Sequence, residues 1–269
     1  YKGSVVTVRA GGVVLKGTPH HVVPAKFDVP AGRHLVYLMQ RADRGYRIGR
    51  TKSLRTNSRG ETDPGFRVRA VQEHADALWV LKVCDSLAEA AYFESRYAAD
   101  YGLPTACFHS QGRALAMDDA WLTKLYAAID TEMRAKILMD ELLVHPDFPH
   151  HRPQNGRLRN TLSLTMFADR RARVGYHRVQ WSSSNGQTIS RLEAAGIKLR
   201  PGKVGKRFES SSKAYPAALK AAHSLASIAG MHLKRRVRIG EVTYDSTPLS
   251  HLHPGMTVLV LEGGEFVPR

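Results

Sequence analysis

The sequence predicts an α+β protein: a small mixed-sheet domain and a basic α+β module, joined by a helical connector and flanked by partial all-β segments. Three observations lead there. Short period-two apolar runs alternate with stretches of helical spacing. A 43% hydrophobic fraction over 269 residues is enough for more than one core. The positive charge is gathered in blocks instead of being spread.

At the start, Ser4-Val5-Val6-Thr7-Val8, the turn Gly11-Gly12 and Val13-Val14-Leu15 spell a hairpin. Leu35 to Met39 reads as a strand, Asp43-Arg44-Gly45 as its turn and Tyr46 to Gly49 as the returning strand. A long polar loop is expected from Lys52 to about Gly65, then a third strand at Leu78 to Val83. Ser86 with Glu89 three residues on is a capping box that opens a helix through Ala99. Trp121, Leu122, Leu125, Ile129, Met133, Ile137 and Leu138 recur at helical spacing, and Asp130-Thr131-Glu132 divides them into two helices. Asp118-Asp119 and Asp140-Glu141 read as helix-end and solvent-face acids. The stretch from Pro146 to Pro153 reads as a linker; His145, His150, His151 and Asp147 there match no zinc-site spacing.

Beyond residue 160 the pattern is a hairpin (161–167 against 175–181), a helix (187–195), a strand pair around 202–205, a helix (215–229) and a strand (231–237). The chain closes in β-structure around 248–261. The expected units are 1–30, 34–109, 113–154, 155–240 and 241–269.

Forty Lys and Arg against 24 Asp and Glu leave a formal charge of +16. Residues 150–240 carry 19 basic and 3 acidic residues, which is the whole excess, and residues 33–69 add a second basic zone of 10 against 3. Localised charge of this kind is the footprint of a protein that displaces counterions from phosphates; the plainer alternative is a solvated face. The residues expected at DNA are Arg170, Arg171, Arg173, Arg178, Lys203, Lys206, Arg207, Lys234, Arg235 and Arg236, reaching mainly phosphates from a ribbon laid in a groove. Tyr176, His177 and Trp181 are interleaved with them and read more simply as core. No apolar run approaches the roughly 18 residues of a membrane span, so no membrane partner is expected. The two cysteines, Cys84 and Cys107, give neither a disulfide framework nor a cysteine zinc site. No Gly-x-x-x-x-Gly-Lys-Ser/Thr phosphate loop occurs. The chain reads as soluble and cytoplasmic.

Chemistry-bearing residues concentrate between 34 and 109: Tyr37, Tyr46, Arg47, Arg55, Arg67, Arg69, His74 and Glu94. A carboxylate for a divalent cation, a phenol to take a proton from water and arginines for phosphate suffice for phosphodiester hydrolysis. This block resembles the GIY-YIG nucleases. Leu35-Val36-Tyr37 stands for the first half-motif, Arg47-Ile48-Gly49 for the second, Glu94 for the helical glutamate and Tyr101-Gly102-Leu103-Pro104 for the turn after that helix. The resemblance implies that Tyr37 acts on the attacking water, that Glu94 holds Mg2+, and that Arg55, Arg67 or Arg69 contacts phosphate, with His74 assisting. Two departures stand: Arg47 takes the second tyrosine's place, with Tyr46 one residue early and on the other face, and the loop before Arg67 is long.

Gly17-Thr18-Pro19-His20-His21 after the first hairpin resembles the Thr-x-x-His block of intein Hint domains, which implies that Thr18 and His21 polarise a scissile peptide. With a nuclease-like block inside and β-structure at the end, the chain is similar to inteins carrying a homing endonuclease, and in particular to those of actinobacterial UvrD-type DNA helicases. The implied partners are double-stranded DNA at the empty insertion site and the host helicase's extein segments. The chain opens at Tyr1 and ends at Arg269 without the expected junction residues, so it reads as a fragment from which no splicing is expected. Two alternatives stay open: a decayed, DNA-binding insert of an intein, and an autoprocessing protein whose basic module binds RNA or host protein.

Overall fold

The computed structural model describes residues 3–112, 115–153, 161–169, 175–203 and 205–269. It is a mixed α+β protein. The first hairpin, β1 (Val6–Ala10) and β2 (Val13–Gly17), turns through Gly11 and Gly12, both at positive φ, as a two-residue hairpin loop requires. After β3 (Val22–Lys26) come β4 (His34–Arg41) and β5 (Gly45–Lys52), the short ribbon β6 (Leu54–Thr56) and β7 (Thr62–Pro64), α1 (Gly65–Gln72), β8 (Ala77–Cys84) and α2 (Leu87–Tyr101). The expected loop over 52–65 is therefore folded. Asn57 Oδ1 accepts the N–H groups of Arg59 and Glu61, which bends the chain back and pairs Arg55 with Asp63 across the ribbon.

The antiparallel sheet β5-β4-β8 has helices on both faces. Val36, Leu38, Ile48 and Trp79 point to one face and pack with Ala90 of α2. Leu35, Tyr37 and Met39 point to the other and pack with Phe66 and Ala70 of α1. The capping box of α2 forms as the sequence predicts: Ser86 Oγ accepts the Glu89 N–H, and the Glu89 carboxylate accepts the Asp85 N–H. The connector divides into two helices, α3 (Asp119–Ala128), capped by Asp118, and α4 (Thr131–Glu141), capped by Asp130.

The segment from Pro146 to Pro153 is not a free linker. His151 exchanges two backbone hydrogen bonds with Leu78 at the open edge of β8, and His150 Nδ1 accepts the Val80 N–H, so the stretch satisfies an edge that would otherwise be exposed.

The remaining elements are β9 (Thr161–Asp169), β10 (Tyr176–Ser183), α5 (Gly186–Ala194), β11 (Arg200–Pro201), β12 (Lys206–Ser212), α6 (Tyr215–Ala229), β13 (His232–Ile239), β14 (Val242–Pro248), a 3-10 turn (Leu249–His251), β15 (Thr257–Glu262) and β16 (Glu265–Pro268). They form a nine-stranded sheet in the order β11-β12-β10-β9-β13-β14-β3-β15-β16. β13 runs parallel to β9 and reaches it through α6, whose apolar stripe lies on Leu162, Leu164, Val179 and Trp181. β3, from the start of the chain, is paired between β14 and β15 from its end. The flanking segments and the basic module thus share one hydrogen-bonded sheet. Among the described residues no helix is long and apolar enough to cross a membrane.

Candidate functional site

Strand alternation decides which side chains can meet. Tyr37 lies opposite Gly49, and Arg47 opposite Met39, so Tyr37 and Arg47 share the face covered by α1. Gly49 is the residue that lets Tyr37 lie flat: a Cβ there would come within 2.6 Å of the tyrosine ring. Arg47 lies on the same face, with Nη2 donating to the Thr105 carbonyl at 2.6 Å and Nη1 donating to Glu73 Oε1 at 2.7 Å. Arg69, on the inner side of α1, donates to the same Glu73 oxygen at 2.6 Å. Glu73 also accepts the Phe108 N–H at 3.3 Å. The Tyr37 hydroxyl lies 3.5 Å from both guanidinium groups, at the outer limit of a hydrogen bond.

This constellation is buried. Tyr37 and Glu73 are 0% exposed and Arg47 is 3% exposed. Burial opposes the charge of Arg47, yet the negative potential of Tyr37 and Glu73 outweighs it and holds the guanidinium above its ordinary range. Arg69 is raised on the same balance. Its side chain keeps 18% exposure and passes 4.0 Å from Cys107 Sγ, so it is the member that reaches solvent.

Of the three arginines the sequence leaves open, Arg69 is the one beside Tyr37. Arg55 sits on the outer ribbon opposite Asp63, and Arg67 lies over the Phe66 ring at 5.9 Å. His74 is exposed at positive φ and stacks on His109 at 4.9 Å, outside the buried group. Tyr46 lies on the opposite face, near Trp79, as alternation requires. Glu73, at the centre, was not singled out by the sequence; the spacing of four from Arg69 along α1 was its one legible signal.

Glu94 does not join this site. Arg50, its ion-pair partner, lies opposite Val36 and so on the face covered by α2, with the sheet between it and Tyr37. A carboxylate already bound by a guanidinium, on the far side of the sheet from the phenol, does not fit a magnesium ion serving Tyr37. Among the described residues no group of three or more His, Cys, Asp and Glu is gathered to hold a metal.

The basic module presents a different surface. Leu162, Leu164, Val179 and Trp181 point to α5 and α6; the opposite face carries Ser163 and Thr165 of β9, Arg178, Gln180 and Ser182 of β10, Arg207, Glu209 and Ser211 of β12, and Lys234 and Arg236 of β13. The cross-strand rows are Arg236-Thr165-Arg178-Ser211 and Lys234-Ser163-Gln180-Glu209, with Ser182 facing Arg207. Within this face Arg178 pairs with Glu209 at 3.1 Å, while Lys234 and Arg236 both pair with Asp245, at 2.8 and 3.1 Å. Arg235 points the other way and lies 5.6 Å over the Phe148 ring. Lys206 is held by Glu193, whereas Lys203 and Arg207 are exposed. Arg170, Arg171 and Arg173 lie outside the described residues.

Thr18 and His21 share one exposed turn, in which the Thr18 carbonyl accepts the His21 N–H at 3.0 Å. The His21 carbonyl accepts the Leu249 N–H from the far end of the chain at 2.8 Å.

No protein-family model, curated protein or solved structure matches the chain.

Proposed function

We propose that the chain is a DNA-binding insert carried within an intein, in which the nuclease-like domain serves as a scaffold and the basic sheet holds duplex DNA. The observation that carries the reading is the helix-free face of the large sheet. It sets Arg178, Arg207 and Arg236 among Gln180 and Ser182, so that cations for phosphates and hydrogen-bonding side chains for base edges lie on one surface. The pairing of β3 with β14 and β15 supports the intein part, since it brings the two ends of the chain together around everything between them. The loss of cleavage is supported by the burial of Tyr37, Arg47 and Glu73, which leaves the phenol no room for an attacking water, and by the separation of Glu94 from it.

A titration of labelled duplex DNA tests this against RNA of the same length. Preferred duplex binding that weakens with salt, and weakens further in the Arg178→Ala, Arg207→Ala double variant, is expected. Equal or better binding of RNA would favour the RNA-binding reading.

A second reading, a working endonuclease at the empty insertion site, is favoured by one feature: the Tyr37 hydroxyl lies between the guanidinium groups of Arg47 and Arg69. It predicts magnesium-dependent nicking that is lost in both Tyr37→Phe and Glu94→Ala.

A further inference from the structure

Far from the buried tyrosine, histidines gather where three parts of the chain meet: the edge of β8, the segment after α4 and the 3-10 turn before β15. Their rings are wired to backbone groups of one another's segments. His251 Nε2 accepts the His145 N–H at 2.7 Å, and its Nδ1 faces the Phe148 carbonyl at 3.0 Å. His150 Nδ1 accepts the Val80 N–H at 3.0 Å, and its Nε2 faces the His251 carbonyl at 3.0 Å. His253 Nε2 faces the Val80 carbonyl at 2.9 Å. The rings also pack together: His150 lies 5.4 Å from both His251 and His253, and His20 lies 4.8 Å from His145.

A ring nitrogen that accepts an amide N–H cannot carry a proton of its own. The wiring therefore sets the tautomers, with the proton on Nε2 of His150 and on Nδ1 of His251, and both rings neutral. Protonating His251 Nε2 removes the hydrogen bond that ties the segment after α4 to the 3-10 turn of the flanking β-structure, protonating His150 Nδ1 removes the one that ties that same segment to β8, and either step puts a charge into an enclosed site.

We propose that this histidine cluster is a proton-sensitive clamp, which docks the nuclease-like sheet on the flanking β-structure at neutral pH and releases that contact on acidification.

The surroundings oppose a charged ring. Burial holds His150 well below its usual range, His251 at about 3 and His253 at about 4. Lys82 faces His253, and Lys234 faces His150. Neighbouring His151 is likewise held at about 3 by burial, then by Arg67 and Lys234, with Asp245 opposing. Asp147 faces His145, whose own value is lowered first by burial and then by His20. When the clamp opens, the rings return to the ordinary value near 6.5, so each histidine favours the open form about tenfold more for every pH unit below that. The inference does not depend on the DNA-binding reading.

Long-range proton–nitrogen NMR of the full chain reads the tautomers directly, and amide exchange reads the docking. At pH 7.5 the expected pattern is a neutral His150 protonated on Nε2 and a neutral His251 protonated on Nδ1. Between pH 6.5 and 4.5 the protection factors of Val80, His145 and His151 should fall at least tenfold per unit, while those of Leu164 and Val179 hold. His251→Asn, which has no ring to protonate, should start with weaker protection at His145 and show a flatter pH dependence. Tautomers opposite to these overturn the proposal, as does protection that persists to pH 4.5. It is equally overturned if Leu164 and Val179 lose protection together with Val80, since the cluster would then serve general stability and not a separable contact.

Discussion

Glu73 shows how a single residue organises the buried group. It is fully enclosed and takes a guanidinium from each side, so removing it strands Arg47 as a buried charge. Glu73→Ala is expected to cost about 3 to 5 kcal/mol of unfolding free energy, measured by urea denaturation. Replacing the pair together, as Arg47→Met with Glu73→Leu, should recover most of that loss. Tyr37→Phe should be far milder, under about 1 kcal/mol, because a hydroxyl 3.5 Å from its partners gives little up. Gly49→Ala drives a methyl group into the Tyr37 ring and should cost about 1 to 3 kcal/mol by the same measurement. The sequence made Tyr37 and Gly49 legible because strand period and motif spacing are local. It did not expose Glu73, whose partners Arg47 and Phe108 lie 26 and 35 residues away.

Among the elements, hairpins and capped helices were legible because their determinants sit within a few residues: Gly45 at the β4–β5 turn, and Ser86 with Glu89 at the start of α2. Ser86→Ala should cost about 1 kcal/mol, read as a lower melting temperature. The proline-rich stretch after α4 misled for the converse reason. Its prolines resemble linker punctuation, while its anchors are β8, some 70 residues earlier, and His251, 101 residues later. Its histidines also set a pH dependence. Their docked values are depressed, so below about pH 6.5 the opened segment binds protons that the docked one refuses, and docking weakens as pH falls. The opening free energy of that segment, read by amide exchange at His145 and His151, should decline from pH 6.5 to 5, with a slope of up to about 1.4 kcal/mol per unit for each of His150, His251, His253 and His151. A flat profile over that window would contradict the buried, neutral assignment.

For the whole molecule, composition located the charge but not the surface that displays it. The charge excess of residues 150–240 was plain, whereas the nine-stranded sheet that displays part of it depends on pairings between β3 and strands more than 200 residues away. The pairing also redistributes the importance of the cations. Lys234 and Arg236 share Asp245, so Lys234→Ala should change duplex affinity little, while Arg207→Ala, at an exposed position, should reduce it several-fold. Affinity should fall with salt at a log–log slope of about −4 to −6, as for roughly five phosphates neutralised.

The most direct test of a DNA-binding but non-cleaving chain is one gel experiment. Supercoiled plasmid carrying an uninterrupted helicase gene is incubated with the protein in magnesium or in EDTA, then run before and after the protein is stripped with detergent. The DNA-binding reading predicts retarded plasmid before stripping and intact supercoiled plasmid after it, with or without magnesium. Nicked or linear plasmid that appears only with magnesium, or plasmid never retarded at low salt, would contradict it.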